Sequence, residues 1–157
     1  AGDCQVQVTP AGRGIETAVI DATITIDSGV AYHVAATGNV ANIAPQIYEA
    51  DLSQTDDGSA RVRVIHTSPD APAVDIALTG GDVLIPALEF PNASDFIQVP
   101  AGSYDLEVRA AGSMDVALPL PGVALEANTA YDIFAIGQLS DGSLTVLVIP
   151  SMTAHGE

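Results

Sequence analysis

The chain carries one and a half copies of a single unit, and this incomplete repeat limits what it can fold into more than any other feature. AGDCQVQVTPAGRG at 1–14 reads against AGSYDLEVRAAGSM at 101–114, placing Ala1 over Ala101, Gly2 over Gly102, Val8 over Val108 and Gly12 over Gly112. TITIDSGVAYHVAATG at 23–38 reads against GVALEANTAYDIFAIG at 122–137, with Tyr32 over Tyr131, His33 over Asp132 and Gly38 over Gly137. The offset falls from 100 to 99 between the two blocks, a slip that loops tolerate. The segment 60–100 has no counterpart in the first copy. The expected organisation is the back half of a first repeat at 1–52, a linker at 53–59, a complete repeat at 60–150 and a tail at 151–157. Half a β-domain leaves apolar strand faces uncovered, so something must complete it.

Strand periodicity runs throughout. Ile20, Ala22, Ile24 and Ile26 alternate with Asp21, Thr23, Thr25 and Asp27, the period of two that puts one face of a strand inside. Tyr104, Leu106 and Val108 alternate with Asp105, Glu107 and Arg109, and Val62 and Val64 with Arg61 and Arg63. Short strands punctuated by Gly, Pro, Asn and Asp at intervals of about 8–12 residues point to antiparallel sandwiches rather than βαβ units. No stretch holds apolar residues at helical spacing over three turns, and 10 prolines with 14 glycines would interrupt most candidates.

Composition narrows the partners. Twenty acidic residues face four arginines and no lysine, for a net charge of -16. Nucleic acids and anionic membrane surfaces need clustered positive charge, so both are excluded as expected partners. No apolar run approaches the roughly 18 residues that span a bilayer, and membrane insertion is not expected. A single cysteine, Cys4, rules out an internal disulfide framework. Its alternation with Val6 and Val8 places it on the apolar face of its strand, in register with Tyr104, as a small buried hydrophobe.

Three segments in order, ARVRVIHTSPDAPAVDI (60–76), IQVPAGSYDLEVRAAG (97–112) and LEANTAYDIFAIG (125–137), resemble a family of tandem Ig-like domains from secreted and surface proteins of bacteria and archaea, catalogued as domain of unknown function 4397. The resemblance covers 60–150 as a whole copy and 1–51 as the back half of another. It implies an all-β fold of tandem Ig-like antiparallel β-sandwich units, the first represented only by its back half. It also implies a secreted, prokaryotic, cell-surface or extracellular location. It supplies no catalytic residues. The stretch IALTGGDVLIPAL departs from the tighter hairpin that family members often show there.

Few clusters suggest chemistry. His66, Asp70 and Asp75, around HTSPDAP, form a conceivable metal ligand set. Turn chemistry explains the same residues better, with Pro69 fixing φ, Asp70 capping the turn and Pro72 stopping strand pairing. Asp56 and Asp57 lack the spaced oxygens of a calcium loop. No G-x-S-x-G elbow, H-E-x-x-H, P-loop or G-x-G-x-x-G occurs; His33 lies in a strand and His155 in the tail. Arg61 and Arg63, on one strand face, are expected to meet acidic cross-strand neighbours. Asn92-Ala93-Ser94 is a sequon in a loop, making Asn92 a candidate glycosylation site.

The expected function is therefore a non-enzymatic structural or assembly module of a surface or fibre-forming protein, without a cofactor. Its assembly edge comprises Cys4, Val6, Val8, Ile20, Ile24 and Ile26, apolar positions expected to face water in an uncompleted half. Its partners are other copies of itself or upstream repeats, joined by strand pairing. Each chain has two back halves and one front half, so exchange of front halves between identical chains always leaves one back half over. Completion comes from upstream residues, from strand donation by a neighbour, or from two N-terminal halves meeting. The alternative is a surface-exposed ligand- or polysaccharide-binding module using loops at one end of the sandwich.

Overall fold

The computed structural model describes residues 1–12, 15–50 and 52–152. The chain divides into two compact units, Ala1–Ala50 and Asp51–Glu157. Both are built from strands, and the described residues include no α-helix.

In the first unit, β1 (Gly2–Val8) pairs antiparallel with β2 (Ile20–Ile26), and β3 (Ala31–Thr37) with β4 (Ala44–Ala50). Each hairpin is a sheet of two strands, so every strand is an edge. The β-branched run of β2 suits a pleated surface with one covered face, and Ile20 and Ile24 are buried while Asp21, Thr23 and Thr25 are exposed. On the wet face, Gln5 and Gln7 of β1 donate to Asp21 at 2.8 and 2.9 Å and hold its carboxyl below the usual carboxylate range.

The second unit contains β5 (Ser59–His66), β6 (Val74–Leu78), β7 (Val83–Leu88), β8 (Ile97–Pro100), β9 (Gly102–Ala110), β10 (Val116–Leu125), β11 (Thr129–Ile136) and β12 (Thr145–Met152). They form two four-stranded sheets, ordered β10-β9-β6-β7 and β12-β11-β5-β8. One apolar cluster draws on both: Ala60, Val62 and Val64 of β5 and Tyr131 and Ile133 of β11 meet Val74, Ile76, Ile85, Val108 and Leu125 of the other sheet. The core is mostly aliphatic, in keeping with an aromatic content of 4%.

The repeat reappears in three dimensions. The β1–β2 hairpin corresponds to β9–β10 and the β3–β4 hairpin to β11–β12. The slip has two parts: Val8 pairs with Ile20 but Val108 with Leu118, so the offset falls from 100 to 98 across the hairpin loop, and the extra residue of β10 between Leu120 and Val123, opposite Leu106 and Tyr104, returns it to 99. Both copies close the same corner. The Asp27 N–H donates to Tyr32 Oη at 3.3 Å, and the Glu126 N–H donates to Tyr131 Oη at 2.9 Å. Gly38 and Gly137 end the equivalent strands at φ 96° and 87°. A Cβ there would lie 2.7 Å from the Asn42 carbonyl oxygen and 2.3 Å from that of Ser143, so only glycine fits both the backbone and the space.

Three sequence expectations need correction. Pairing is not antiparallel throughout, because β5 and β11 run parallel, Arg63 opposite Asp132. The segment 53–59 is not a free linker. Thr55 is buried, the Gly58 carbonyl accepts from the Ala101 N–H at 2.8 Å, and Ser59 already opens β5. The tail is shorter than expected, since β12 carries the chain to Met152 in register with Thr129; 153–157, with His155, lie outside the described residues.

Candidate functional site

His66 ends β5 with 1% exposure. Its Nδ1 accepts from the Ser68 N–H at 3.3 Å, and its Nε2 lies 3.1 Å from the Pro72 carbonyl oxygen. A backbone N–H can only donate and a carbonyl can only accept, so the ring is the neutral Nε2–H tautomer with both nitrogens engaged. No lone pair is left for a metal. Ser68 is fully buried and its hydroxyl donates to Asp70 at 3.3 Å rather than to the imidazole. His66, Ser68 and Asp70 thus adjoin without forming a nucleophile–base pair.

Asp70 and Asp75 brace separate loops. The exposed Asp70 accepts from the Leu139 and Ser140 amides, both at 2.9 Å, tying the β5–β6 loop to the β11–β12 loop. The Ser140 hydroxyl, those two amides and Ser68 hold its carboxyl down to about 2. Asp75 is buried and accepts from Ala87 N–H at 2.7 Å and Gly112 N–H at 2.9 Å. Ala87 sits at φ 48° where the β6–β7 register shifts, so the carboxylate supplies the partner that its displaced amide lacks in the ladder. Among the described residues, no three His, Cys, Asp or Glu groups gather as a metal cluster.

The arginines hold the sheets together. Arg63 on β5 donates through Nε and Nη2 to the two carboxylate oxygens of Asp132 on β11, at 2.8 and 2.7 Å. Both side chains are more than nine-tenths buried. The guanidinium carbon lies 4.5 Å from the Phe96 ring centroid, a cation–π stack. Arg109 pairs with Glu107 and donates to the Leu78 and Gly81 carbonyls at 3.2 and 3.3 Å, closing the β6–β7 turn. Arg61 donates to the Ser53 hydroxyl and the Gln54 carbonyl. Asn92 is exposed on a loop whose backbone bonds β5 through His66, while the Ser94 hydroxyl accepts from the Val64 N–H at 3.0 Å and donates to the Asp95 carbonyl.

Between the sheets, an apolar cavity of about 70 Å³ is lined by residues that include Val62, Ile76, Val99 and Leu106. Leu84, Ile85 and Ile97 line both this cavity and a groove of about 350 Å³ between β7 and 93–97. No helix among the described residues is long and apolar enough to cross a membrane.

The first unit presents the other notable surface. Val34 on β3 is 48% exposed, whereas its counterpart Ile133, covered by β5 and the facing sheet, is 3% exposed. Val8 and Val6 are half-buried, while Val108 and Leu106, flanked by β6, are buried. Tyr32 is likewise half-buried and Tyr131 buried. The contrast sits on β1 and β3, the strands whose counterparts pair with β6 and β5. Outer strands differ less, with Ile47 of β4 at 43% and Val148 of β12 at 36%.

This changes the expected edge. Ile20 and Ile24 are buried rather than open to water, because they lie on β2, which approaches β4 within the unit. Ile26 is half-buried. Cys4 is exposed, against its reading as a small buried hydrophobe but as an uncovered edge position would be. Its counterpart Tyr104 has a ring long enough to reach the core cluster and a hydroxyl that donates to the Pro100 carbonyl at 2.7 Å. Val34 is a further open position, on the second hairpin. Its alignment with Ile133 carried the signal.

No curated protein matches the chain. A family profile matches residues 1–77 and again 78–156, its break falling at the end of β6, inside the second compact unit. The chain thus belongs to the family described as Domain of unknown function (DUF4397), and carries two matches to it in tandem.

Proposed function

We propose that the protein is a non-catalytic structural or assembly module of an extracellular or cell-surface protein. In this reading Asp51–Glu157 is an Ig-like β-sandwich, and Ala1–Ala50 is the back half of another whose front strands come from elsewhere in a longer chain or from a neighbour. One observation carries it. Val34 is exposed where Ile133 is buried, on a strand whose counterpart holds a parallel partner. Burying the open half of such a side chain contributes about 1 kcal/mol. The unpaired edge adds main-chain hydrogen bonds to any strand that docks. The polar groups around HTSPDAP are taken up by loop bracing, which favours a structural role over catalysis.

Hydrogen exchange on the natural protein tests the reading. In an antiparallel pair, alternate residues of each strand turn their N–H groups away from the partner. In a completed unit the outward amides of β1 and β3 exchange as slowly as those of β9 and β11. If they exchange at unprotected rates in the natural assembly while the second unit stays protected, the reading is wrong.

A second reading, small-ligand binding, is favoured by the apolar cavity and its adjoining groove. Saturable binding of an uncharged alkyl or aromatic probe, abolished by Ile97→Trp, supports it.

A further inference from the structure

Resting on the completion reading, we infer that the first unit selects its completing half, accepting the front half of another domain of this family and rejecting the strand β5 of its own sequence. The second unit supplies the template. There β6 lies antiparallel on β9, and β5 lies parallel on β11 with Arg63 beside Asp132, Val64 beside Ile133 and Ile65 beside Phe134. The corresponding acceptor positions are β1 and β3, with His33 at the Asp132 position, Val34 at the Ile133 position and Ala35 at the Phe134 position.

Much of the receptor is kept. Val34 and Tyr32 offer the apolar face that Val62 and Val64 cover in the second unit. The Gly12 turn has φ 78°, close to the 72° of Gly112, whose amide Asp75 binds. An incoming β6-type strand with the Val-Asp-Ile pattern can place its carboxylate on the Gly12 amide in the same way.

What changes is the charged position. The Arg63 guanidinium is buried and needs two acceptor oxygens, which Asp132 provides. An imidazole presents at most one acceptor nitrogen, and none when protonated. The chain's own β5, docked in the template register on β3, would therefore set a desolvated arginine against His33 with its bidentate partner gone. Ala35 in place of Phe134 also leaves Ile65 without the ring beside it. The favoured β5-type strand carries an uncharged hydrogen-bonding residue or a carboxylate opposite His33. Replacing one member of a buried ion pair weakens it by about a hundredfold or more, enough to set the choice of partner. Such a receptor disfavours self-exchange and leads to assembly with a different family domain.

Two fluorescently labelled peptides test this against the full chain by anisotropy: Ser59–His66 as it stands, and the same peptide with Arg63→Gln. The expected result is that the Arg63→Gln peptide binds at least tenfold more tightly to the wild-type chain. His33→Asp in the full chain reverses the order. Equal affinity of the two peptides for the wild-type chain overturns the selectivity while leaving completion of the edge intact. Binding of neither peptide to either protein, with circular dichroism confirming folded chains, defeats both strand completion at β3 and the selectivity built on it.

Discussion

Removing one side of the Arg63–Asp132 pair gives the sharpest test of how the second unit is held together. Two hydrogen bonds of 2.8 and 2.7 Å join side chains that are 9% and 4% exposed, so solvent cannot replace either partner. Asp132→Ala leaves a buried guanidinium on the Phe96 ring without the carboxylate that both of these bonds reach. Losing one member of such a pair costs about 3–5 kcal/mol, a large part of the roughly 5–15 kcal/mol that separates folded from unfolded domains. Urea unfolding followed by circular dichroism reads this directly. With a slope of about 2 kcal/mol/M, the midpoint falls by about 1.5–2.5 M. Replacing both residues, as Arg63→Met with Asp132→Leu, removes the charges together and restores most of the loss, because neither is then left unpaired. Two outcomes refute the reasoning: a single-variant loss below about 1 kcal/mol, or a double variant less stable than either single one.

Other consequences follow from the same geometry. Ile133→Ala is expected to destabilise the second unit by about 2–5 kcal/mol, while Val34→Ala costs the first unit under about 1 kcal/mol, since little of Val34 is covered; separate melting of the two units checks the contrast. Gly137→Ala is expected to cost at least about 3 kcal/mol, combining a left-handed backbone with overlap on Ser143, against about 1 kcal/mol for Gly112→Ala, where the space is open. Asp70 binds protons more weakly folded than unfolded, so its brace on the β11–β12 loop is fully present above its unfolded value of 3.8 and lost as pH falls through about 2. Amide exchange at Leu139 and Ser140 should rise over that interval, and Asp70→Asn should raise it at neutral pH. Cys4 should react completely with a thiol reagent in the folded protein, as its exposure requires.

Much of the fold was legible because its signals are local. Alternation such as Ile20, Ala22, Ile24 and Ile26 marks a strand without reference to anything distant. The paired tyrosines and glycines of the repeat mark equivalent corners, and the structure gives Tyr32 and Tyr131 the same backbone bond and Gly38 and Gly137 the same crowded turn. The HTSPDAP segment was also readable as turn chemistry, though the particular bonds were not. Asp75 serves Ala87 and Gly112, 12 and 37 residues away, and no spacing rule connects them. The parallel pairing of β5 with β11 was hidden for the same reason, since a parallel neighbour lies beyond a long crossover.

The sequence by itself determined that this is a strand protein, that it repeats internally, and which residues stand in equivalent places. Periodicity and repetition are properties of neighbouring residues and of the chain laid against itself, so they need no folded partner. Only the tertiary structure decided which strand faces are covered. Alternation puts Cys4, Val6, Ile24 and Val34 on apolar faces alike, yet Ile24 is buried, Val6 half-buried, and Cys4 and Val34 exposed. Burial depends on what lies across from a residue. In the second unit β6 and β5 lie beside β9 and β11, and among the described residues of Ala1–Ala50 no strand takes those places beside β1 and β3.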